Sequence, residues 1–314
     1  MRIGIVVDSA CDLPQSFIEE NKIVILPITL HLDGRQMIDT RDPETTLEFY
    51  RQHVAAASQA ETTAFSVEQT KKLFLERLVI DYDLVFVFTI ASSRSPMYDN
   101  VKQAALTILN DYKAPRLAAG IKTPFAMRVI DTQNCFGAQA IPVIECVRLI
   151  KAGETHNKIR ERVEYLVNNT FGYLLPRDLK QLRARAQKRG DKSVGLVQYI
   201  IGSALDVKPL VRGYRNNTGP VARVRHFDEG VGKVWKYVER QIEKGLMTPI
   251  LLLEYGGDPA LMEKLPGYQS LMDTAARHGV EVFFAMMSMV AGIHVGEGAM
   301  GVAFAANEHE VDLG

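Results

Sequence analysis

Short runs of apolar residues alternate with amphipathic segments along most of the chain. Uninterrupted apolar runs are typical of strands that are buried on both faces of a parallel sheet. The segments between them carry apolar residues at three- and four-residue spacing, which predicts helices with one buried face. In the first half, the predicted strands are 3–7, 23–26, 84–90 and 127–130, and the predicted helices are 14–20, 43–57, 66–80, 95–112 and 138–151. This order predicts an α/β protein whose N-terminal part contains a mainly parallel sheet.

The second half repeats the alternation after a polar break. Gly153 and the polar residues 154–157 follow the last helix of the first half, and they mark the expected domain boundary. Beyond it, the predicted helices are 158–167, 178–189, 232–243 and 260–278, and the predicted strands are 173–175, 221–225, 250–254, 280–287 and 300–305. We therefore predict two α/β domains with largely parallel sheets, comprising residues 1–154 and 155–314.

The junction between the strand 84–90 and the helix that follows it is a candidate anion site. Ser95 is a preferred N-cap residue, and Pro96 suits the first helical position. A helix that begins there directs its free N–H groups and the positive end of its dipole towards the carboxyl edge of the sheet. The loop lacks the glycines of a phosphate-binding loop, and its hydroxyls at Ser92, Ser93 and Ser95 suit a carboxylate. The alternative is an ordinary capped helix without a ligand.

Two further segments place polar residues where ligands of open α/β sheets bind. Asp8 ends the first strand, so both a site role and capping of the next helix are open. Residues 61–66, which include Thr62 and Thr63, are predicted to form a hydroxyl-rich loop. In a parallel sheet, this loop converges with residues 92–95 on one edge.

His294 is surrounded by glycines, which indicates a tight backbone beside a bound group. A turn with an incidental histidine is the competing interpretation. Together with Ser95 and Asp8, His294 would complete a hydrolytic triad, although no G-x-S-x-G elbow accompanies Ser95. A Ser95-dependent small hydrolase or acyltransferase therefore stays an alternative.

Composition narrows the partners of the protein. The 314 residues include 37 basic and 37 acidic ones, which favours neither nucleic acid nor stable insertion into a membrane as a mode of action. No apolar run reaches transmembrane length, and the N-terminal residues lack a signal-peptide pattern. The three cysteines lack metal or redox spacing, which favours free thiols in a reducing cytoplasm. Since metal and nucleotide motifs are missing from the sequence, we expect no metal and no cofactor.

Seven segments, in order along almost the whole chain, resemble motifs of the DegV family of bacterial fatty-acid-binding proteins. They are residues 7–14 (VDSACDLP), 26–30 (LPITL), 62–66 (TTAFS), 91–98 (ASSRSPMY), 129–132 (VIDT), 202–209 (GSALDVKP) and 294–298 (HVGEG). The resemblance implies two α/β domains with a ligand tunnel between them. It also implies a buried long-chain fatty acid, palmitate-like or oleate-like, as the ligand.

The resemblance further implies which residues bind that ligand. In the family, the carboxylate is held by a threonine and a serine, with a basic loop residue and a closing histidine nearby. The basic residue corresponds here to Lys192 or Arg189. The predicted ligand-binding residues are therefore Thr62, Thr63, Ser92, Ser95, Lys192 and His294.

Some family members present the bound acid to a fatty acid kinase, so the resemblance implies a non-enzymatic carrier with such a kinase as a partner. This chain departs from the family motifs at several places, among them the Thr63-Ala64-Phe65 stretch and the basic loop, and two further departures bear on whether it binds lipid at all. Ser95-Pro96-Met97 stands where the family has Ser-Gly-Thr, and Glu297 stands where it has proline. These departures keep a third hypothesis open, a diverged interaction protein that binds no lipid.

Overall fold

The structure is a computed structural model, and it describes residues 1–182 and 207–314. Its strands, in chain order, are β1 (Ile3–Asp8), β2 (Val24–Leu26), β3 (Ile28–Leu32), β4 (Arg35–Asp39), β5 (Glu61–Thr63), β6 (Leu84–Thr89), β7 (Ala126–Asp131), β8 (Thr170–Leu175), β9 (Val207–Tyr214), β10 (Asn217–Arg225), β11 (Ile250–Tyr255), β12 (Glu281–Met286) and β13 (Met300–Ala305). In this part of the chain the strands form three sheets.

Helices connect and cover these strands. Across the described residues, the α-helices are α1 (Gln15–Glu20), α2 (Pro43–Gln52), α3 (Val67–Leu73), α4 (Val79–Asp81), α5 (Met97–Asp111), α6 (Lys113–Ala118), α7 (Gly137–Lys151), α8 (His156–Val167), α9 (Phe227–Lys244), α10 (Tyr268–Arg277) and α11 (Met289–Val295). A π-helical segment, Phe74–Leu78, joins α3 to α4, and Val54–Gln59 and Pro259–Lys264 are 3₁₀-helical. Of the helices that the structure describes, none is long and apolar enough to span a bilayer.

The first sheet is parallel throughout and has the strand order β2-β1-β6-β7. This confirms the prediction for the N-terminal sheet. Successive side chains of β1 enter two different cores. Val6 lies in the core that includes α5, whereas Ile5 and Val7 lie in the core that includes α7. Because the strands are parallel, their carboxyl ends and the loops that follow lie at one common edge.

The second sheet is mixed, with the order β10-β9-β8-β13-β11-β12. Its parallel pair is β11 with β12, and its other neighbouring strands are antiparallel. The prediction of largely parallel sheets is therefore wrong for this half. Alternating strands and helices do not fix strand direction where a hairpin intervenes. The turn between β9 and β10 is such a hairpin, with positive φ at both Arg215 and Asn216.

A third, antiparallel sheet, in the order β4-β3-β5, was not predicted. Its strand β5 lies within the segment that we expected to be a loop, and its register places Thr62 opposite Leu30. The predicted helix 260–278 is also wrong as one element. It is a 3₁₀ segment followed by α10, since Gly267 adopts a left-handed conformation with φ +87° between them.

The two halves of the chain interlock. Helix α11 comes from the second half, yet Met289 and Val290 lie in the core that contains α5 of the first half. Gly292 of α11 approaches α2 so closely that an added Cβ would lie 2.9 Å from both Phe49 and Tyr50. The division into domains 1–154 and 155–314 stays a prediction.

Candidate functional site

A cavity of about 280 Å³ lies between the carboxyl edge of the first sheet, the third sheet, α11 and strands β8 to β10. This volume is near the lower end of the roughly 300–1,000 Å³ that small-molecule sites occupy. Most of the described lining is apolar: Ile28, Ala64, Ile90, Pro96, Phe136, Leu174, Pro176, Leu182, Val211, Val290 and Val295. The described polar or titratable lining residues are Thr62, Arg94, Ser95, Cys135, Thr218 and His294.

Ser95 lines this cavity just ahead of α5. The helix begins at Met97 with Pro96 as its N-cap, one residue later than predicted, because Pro96 has φ −70° and ψ 2° outside the helix. The Ser95 Oγ nevertheless accepts a hydrogen bond of 3.2 Å from the Met97 N–H. The hydroxyl of Ser95 therefore retains its own proton to donate to a ligand.

Of the two predicted threonines, the structure brings Thr62 to the cavity. Successive side chains of a strand point to opposite faces, and Thr63 instead bonds His31 through its Oγ1, 2.8 Å from Nε2. The expected convergence of the two polar segments is found, since Thr62 and Ser95 line the same cavity. Asn100 of α5 also joins the two segments, because its side-chain amide donates a hydrogen bond to the Phe65 carbonyl at 2.9 Å.

The other serines of the junction hold the loop in place. Ser92 donates from Oγ to the Asp131 carboxylate at 2.5 Å, and its N–H donates to the same carboxylate at 3.2 Å. Ser93 donates to Asn216 at the tip of the β9–β10 hairpin. Ser92 is thus a predicted ligand-binding residue whose hydroxyl is already bound to Asp131.

His294 lies on the short helix α11, so the competing interpretation of a turn at this position is wrong. The helix is capped by Ser288, whose Oγ accepts from the Ala291 N–H at 3.1 Å. The imidazole of His294 is half-buried in the cavity wall, with its ring centroid 6.4 Å from that of Phe136. Among the glycines around His294, Gly292 permits close packing, whereas Gly296 and Gly298 adopt a left-handed backbone conformation.

One positively charged side chain lies in the described wall of the cavity, and it was not predicted from the sequence. The predicted basic residue, Lys192, and its alternative Arg189 lie outside the described residues. Arg94 lies between Ser93 and Ser95, is half-buried and lines the cavity. Its position inside the predicted site loop, between two serines, was the available signal.

Asp8 does not belong to the cavity wall as described. Its carboxylate accepts hydrogen bonds from the N–H groups of Ile90 at 2.6 Å and Ala10 at 3.1 Å, and it caps no helix. Burial raises the pKa of Asp8 to about 7. Asp8 thus joins the ends of β1 and β6, and the triad of Ser95, His294 and Asp8 is not assembled.

The remaining reactive groups of the described residues offer little catalytic chemistry. Burial raises the pKa of the Cys135 thiol to about 12, so this cavity residue is not a thiolate at neutral pH. Within residues 1–182 and 207–314, no cluster of three histidine, cysteine or acidic side chains could hold a metal ion.

The fold and the cavity together define an α/β protein that encloses a mainly apolar cavity at the carboxyl edge of a parallel sheet, with hydroxyl, imidazole and guanidinium groups in its wall. That combination is typical of a binding site for a small amphiphilic molecule. The chain belongs to the DegV family: a sequence profile of this family of uncharacterised proteins matches residues 2–307. The resemblance seen in the sequence is thereby confirmed.

Known relatives agree over nearly the full length. A DegV domain-containing protein of Xanthomonas campestris pv. campestris is 50% identical over 310 residues, which cover 98% of this chain and 99% of the relative. A solved DegV lipid-binding protein from Thermotoga maritima is 22% identical, with a TM-score of 0.74 over 99% of this chain and 100% of its own. A stearic acid-binding protein from Eubacterium ventriosum is also 22% identical, with a TM-score of 0.74 over 96% and 98%. These solved structures share the α/β fold.

Proposed function

We propose that this protein binds a long-chain fatty acid, palmitate-like or oleate-like, in the cavity and acts as a non-enzymatic carrier. The acyl chain lies against the apolar wall between the two halves of the chain. The carboxylate accepts hydrogen bonds from the hydroxyls of Ser95 and Thr62, with His294 close by. The observation that carries the proposal is that Thr62, Ser95 and His294, which are far apart in sequence, line one apolar cavity.

The free energy of burying a fatty acid suits a cavity with a mainly apolar wall. Each methylene group that is removed from water contributes about 0.8 kcal/mol, so a long acyl chain supplies most of the affinity. A carboxylate that enters an apolar cavity must be hydrogen-bonded or paired with a cation. Hydroxyl donors that are already oriented by their own acceptor bonds, as Ser95 is by Met97, meet that need without a catalytic group.

Membership of the DegV family supports the same ligand class, because lipid and stearic acid binding are the properties for which two relatives of this fold are named. A fatty acid kinase as partner and a cytoplasmic location stay predictions of the sequence. The bonds of Asp8 to Ile90 and Ala10 argue against the hydrolase alternative, which needs a carboxylate to orient His294.

The test is native mass spectrometry of the purified protein, followed by organic extraction and loading of the emptied protein with palmitate. We expect one fatty acid per chain. Ser95→Ala should weaken palmitate binding by about 5- to 100-fold, because a buried carboxylate loses a donor. Thr63→Val is the matched control, since it also removes one hydroxyl, which bonds His31 outside the described cavity wall.

Two outcomes would contradict the proposal. A protein that carries no lipid and takes up none during incubation with palmitate or oleate is not a fatty acid carrier. Turnover of an activated ester with a burst phase, abolished by Ser95→Ala, would instead establish the hydrolase.

A further inference from the structure

We propose that Arg94 pairs with the acidic head group of the ligand, and that its charge makes the cavity select acids over neutral lipids of equal chain length. This inference rests on the proposed function and adds a specificity-determining residue to it.

The backbone that leads into Arg94 is held in place by hydrogen bonds. Ser92 is bound to Asp131 and Ser93 to Asn216, while the Arg94 N–H donates to the Ala91 carbonyl at 2.9 Å. Because these bonds use the neighbouring side chains and the main chain, they leave the Arg94 side chain to the cavity. That side chain is half-buried in the wall beside Ser95.

The charge of Arg94 has no counter-charge among the described residues. The described lining of the cavity contains no aspartate or glutamate. Neither a hydrogen bond nor an ion pair of the Arg94 guanidinium to any described residue is found, although its N–H groups form a rigid set of five donors. A cation placed against an apolar wall is costly unless an anion accompanies it. A bound carboxylate provides that anion.

The charge of Arg94 acts on a neighbouring thiol of the cavity wall. Cys135 lies in the same wall, and its pKa is raised mainly by burial but lowered by the positive charge of Arg94. The guanidinium is therefore close enough to act electrostatically on a group that faces the ligand space.

Charge adds a selectivity that hydroxyls alone lack. The hydroxyls of Ser95 and Thr62 both donate and accept, so they can bind a neutral alcohol as well as an acid. Guanidinium only donates, keeps its charge at all physiological pH values and matches a carboxylate with two parallel bonds. A site that includes Arg94 therefore distinguishes palmitate from 1-hexadecanol.

The test compares dissociation constants for palmitate and 1-hexadecanol in the wild type, Arg94→Met and Arg94→Lys, measured by calorimetry on delipidated full-length protein. Arg94→Met keeps the apolar length of the side chain and removes its charge. We expect it to weaken palmitate binding about 10- to 100-fold while the affinity for 1-hexadecanol is retained. Arg94→Lys should restore part of the preference for the acid, since it keeps the charge without the planar donors.

Arg51→Met is the matched control, because Arg51 is exposed near the end of α2 and lies outside the described cavity wall. Retained binding of 1-hexadecanol also reports that a variant is folded. Unchanged palmitate affinity in Arg94→Met overturns the inference, as does an equal loss for both lipids, while either result leaves the proposed function standing. A wild type that binds neither lipid overturns both.

Discussion

Two polar regions lie between the halves of this protein, and they differ in what satisfies their polar groups. The first is the buried charge cluster, formed by Asp12, Asp39, Arg41 and Glu254. The second is the cavity wall around Thr62, Arg94, Ser95 and His294. In the cluster the protein itself supplies most of the partners, and only Asp12 Oδ2 and Arg41 Nε lack one among the described residues. In the cavity wall, the donors of Arg94 and Ser95 line open space, as expected of a binding site.

The buried charge cluster is a structural junction. Arg41 donates to Asp12 at 3.1 Å and to the Met286 carbonyl at 2.7 Å. Asp12 also accepts from the Ser288 N–H at 2.9 Å, and Asp39 accepts from the Val290 N–H at 3.2 Å. These bonds join the first half of the chain to the segment that leads into α11. They thereby hold the helix that carries His294 against the cavity.

Glu254 adds another buried carboxyl group to the cluster. It accepts a hydrogen bond from the Gly137 N–H at 2.6 Å. Burial, reinforced by the charge of Asp12, raises the pKa of Glu254 well above its usual range. The raised pKa favours the neutral form of Glu254, which lessens its repulsion with Asp12, whose Oδ2 has no hydrogen-bond partner among the described residues.

The largest effect that we predict comes from breaking the cluster. Arg41→Met removes the cation that faces Asp12 and Asp39, and it should lower the free energy of unfolding by about 3–5 kcal/mol. Urea denaturation of the ligand-free protein measures this. The exposed Arg51→Met should change stability by less than about 0.5 kcal/mol. Equal losses in the free energy of unfolding of the two variants would show that Arg41 contributes no more to stability than an exposed cation does.

The second prediction is that stability falls as the pH rises. Asp8 has a pKa of about 7 in the folded protein and Asp39 one of about 6, both raised by burial, against about 3.9 for an exposed aspartate. The folded state therefore holds protons that the unfolded state has already released. Their contribution is fully present below about pH 4 and is lost as the pH rises through 6 to 7.

Urea denaturation at several pH values between 4 and 8 measures the slope of the free energy of unfolding against pH. The expected loss of stability over this range is a few kcal/mol. Asp8→Asn should flatten the slope, because an amide does not titrate in this range. The readout is the slope rather than the absolute stability, since the amide also replaces one of the acceptors for Ile90 and Ala10. A wild type whose stability rises over this range would contradict the assignment.

The contrast between the regions also explains what sequence could predict. Ser95 and His294 lie in local motifs, a strand-to-helix junction and a glycine-rich stretch, so both could be predicted as site residues without a structure. The buried charge cluster was not, because Arg41 and Asp12 lie on different elements and Glu254 lies in the other half of the chain. Sequence periodicity reports which face of an element is buried, not which elements meet.

The fold, like the polar regions, was predictable from the sequence only in part. The parallel sheet was predictable because β1 and β6 are continuous apolar runs. The small antiparallel sheet was not, since β5 is exposed and three residues long, and its register depends on β3 rather than on its own composition. That register is nevertheless what decides which of two adjacent threonines lines the cavity.

The smallest effect that we predict concerns the two adjacent threonines of β5, Thr62 and Thr63. Thr62→Val removes a cavity donor but keeps the β-branched shape that suits β5, so palmitate affinity should fall about tenfold with little change in stability. Thr63→Val removes an equivalent hydroxyl that bonds His31 on the opposite face, so affinity should be unchanged. Calorimetric titration with palmitate measures both. Equal losses in the two variants, or a larger loss in Thr63→Val, would mean that the register of β5 does not select the ligand-facing residue.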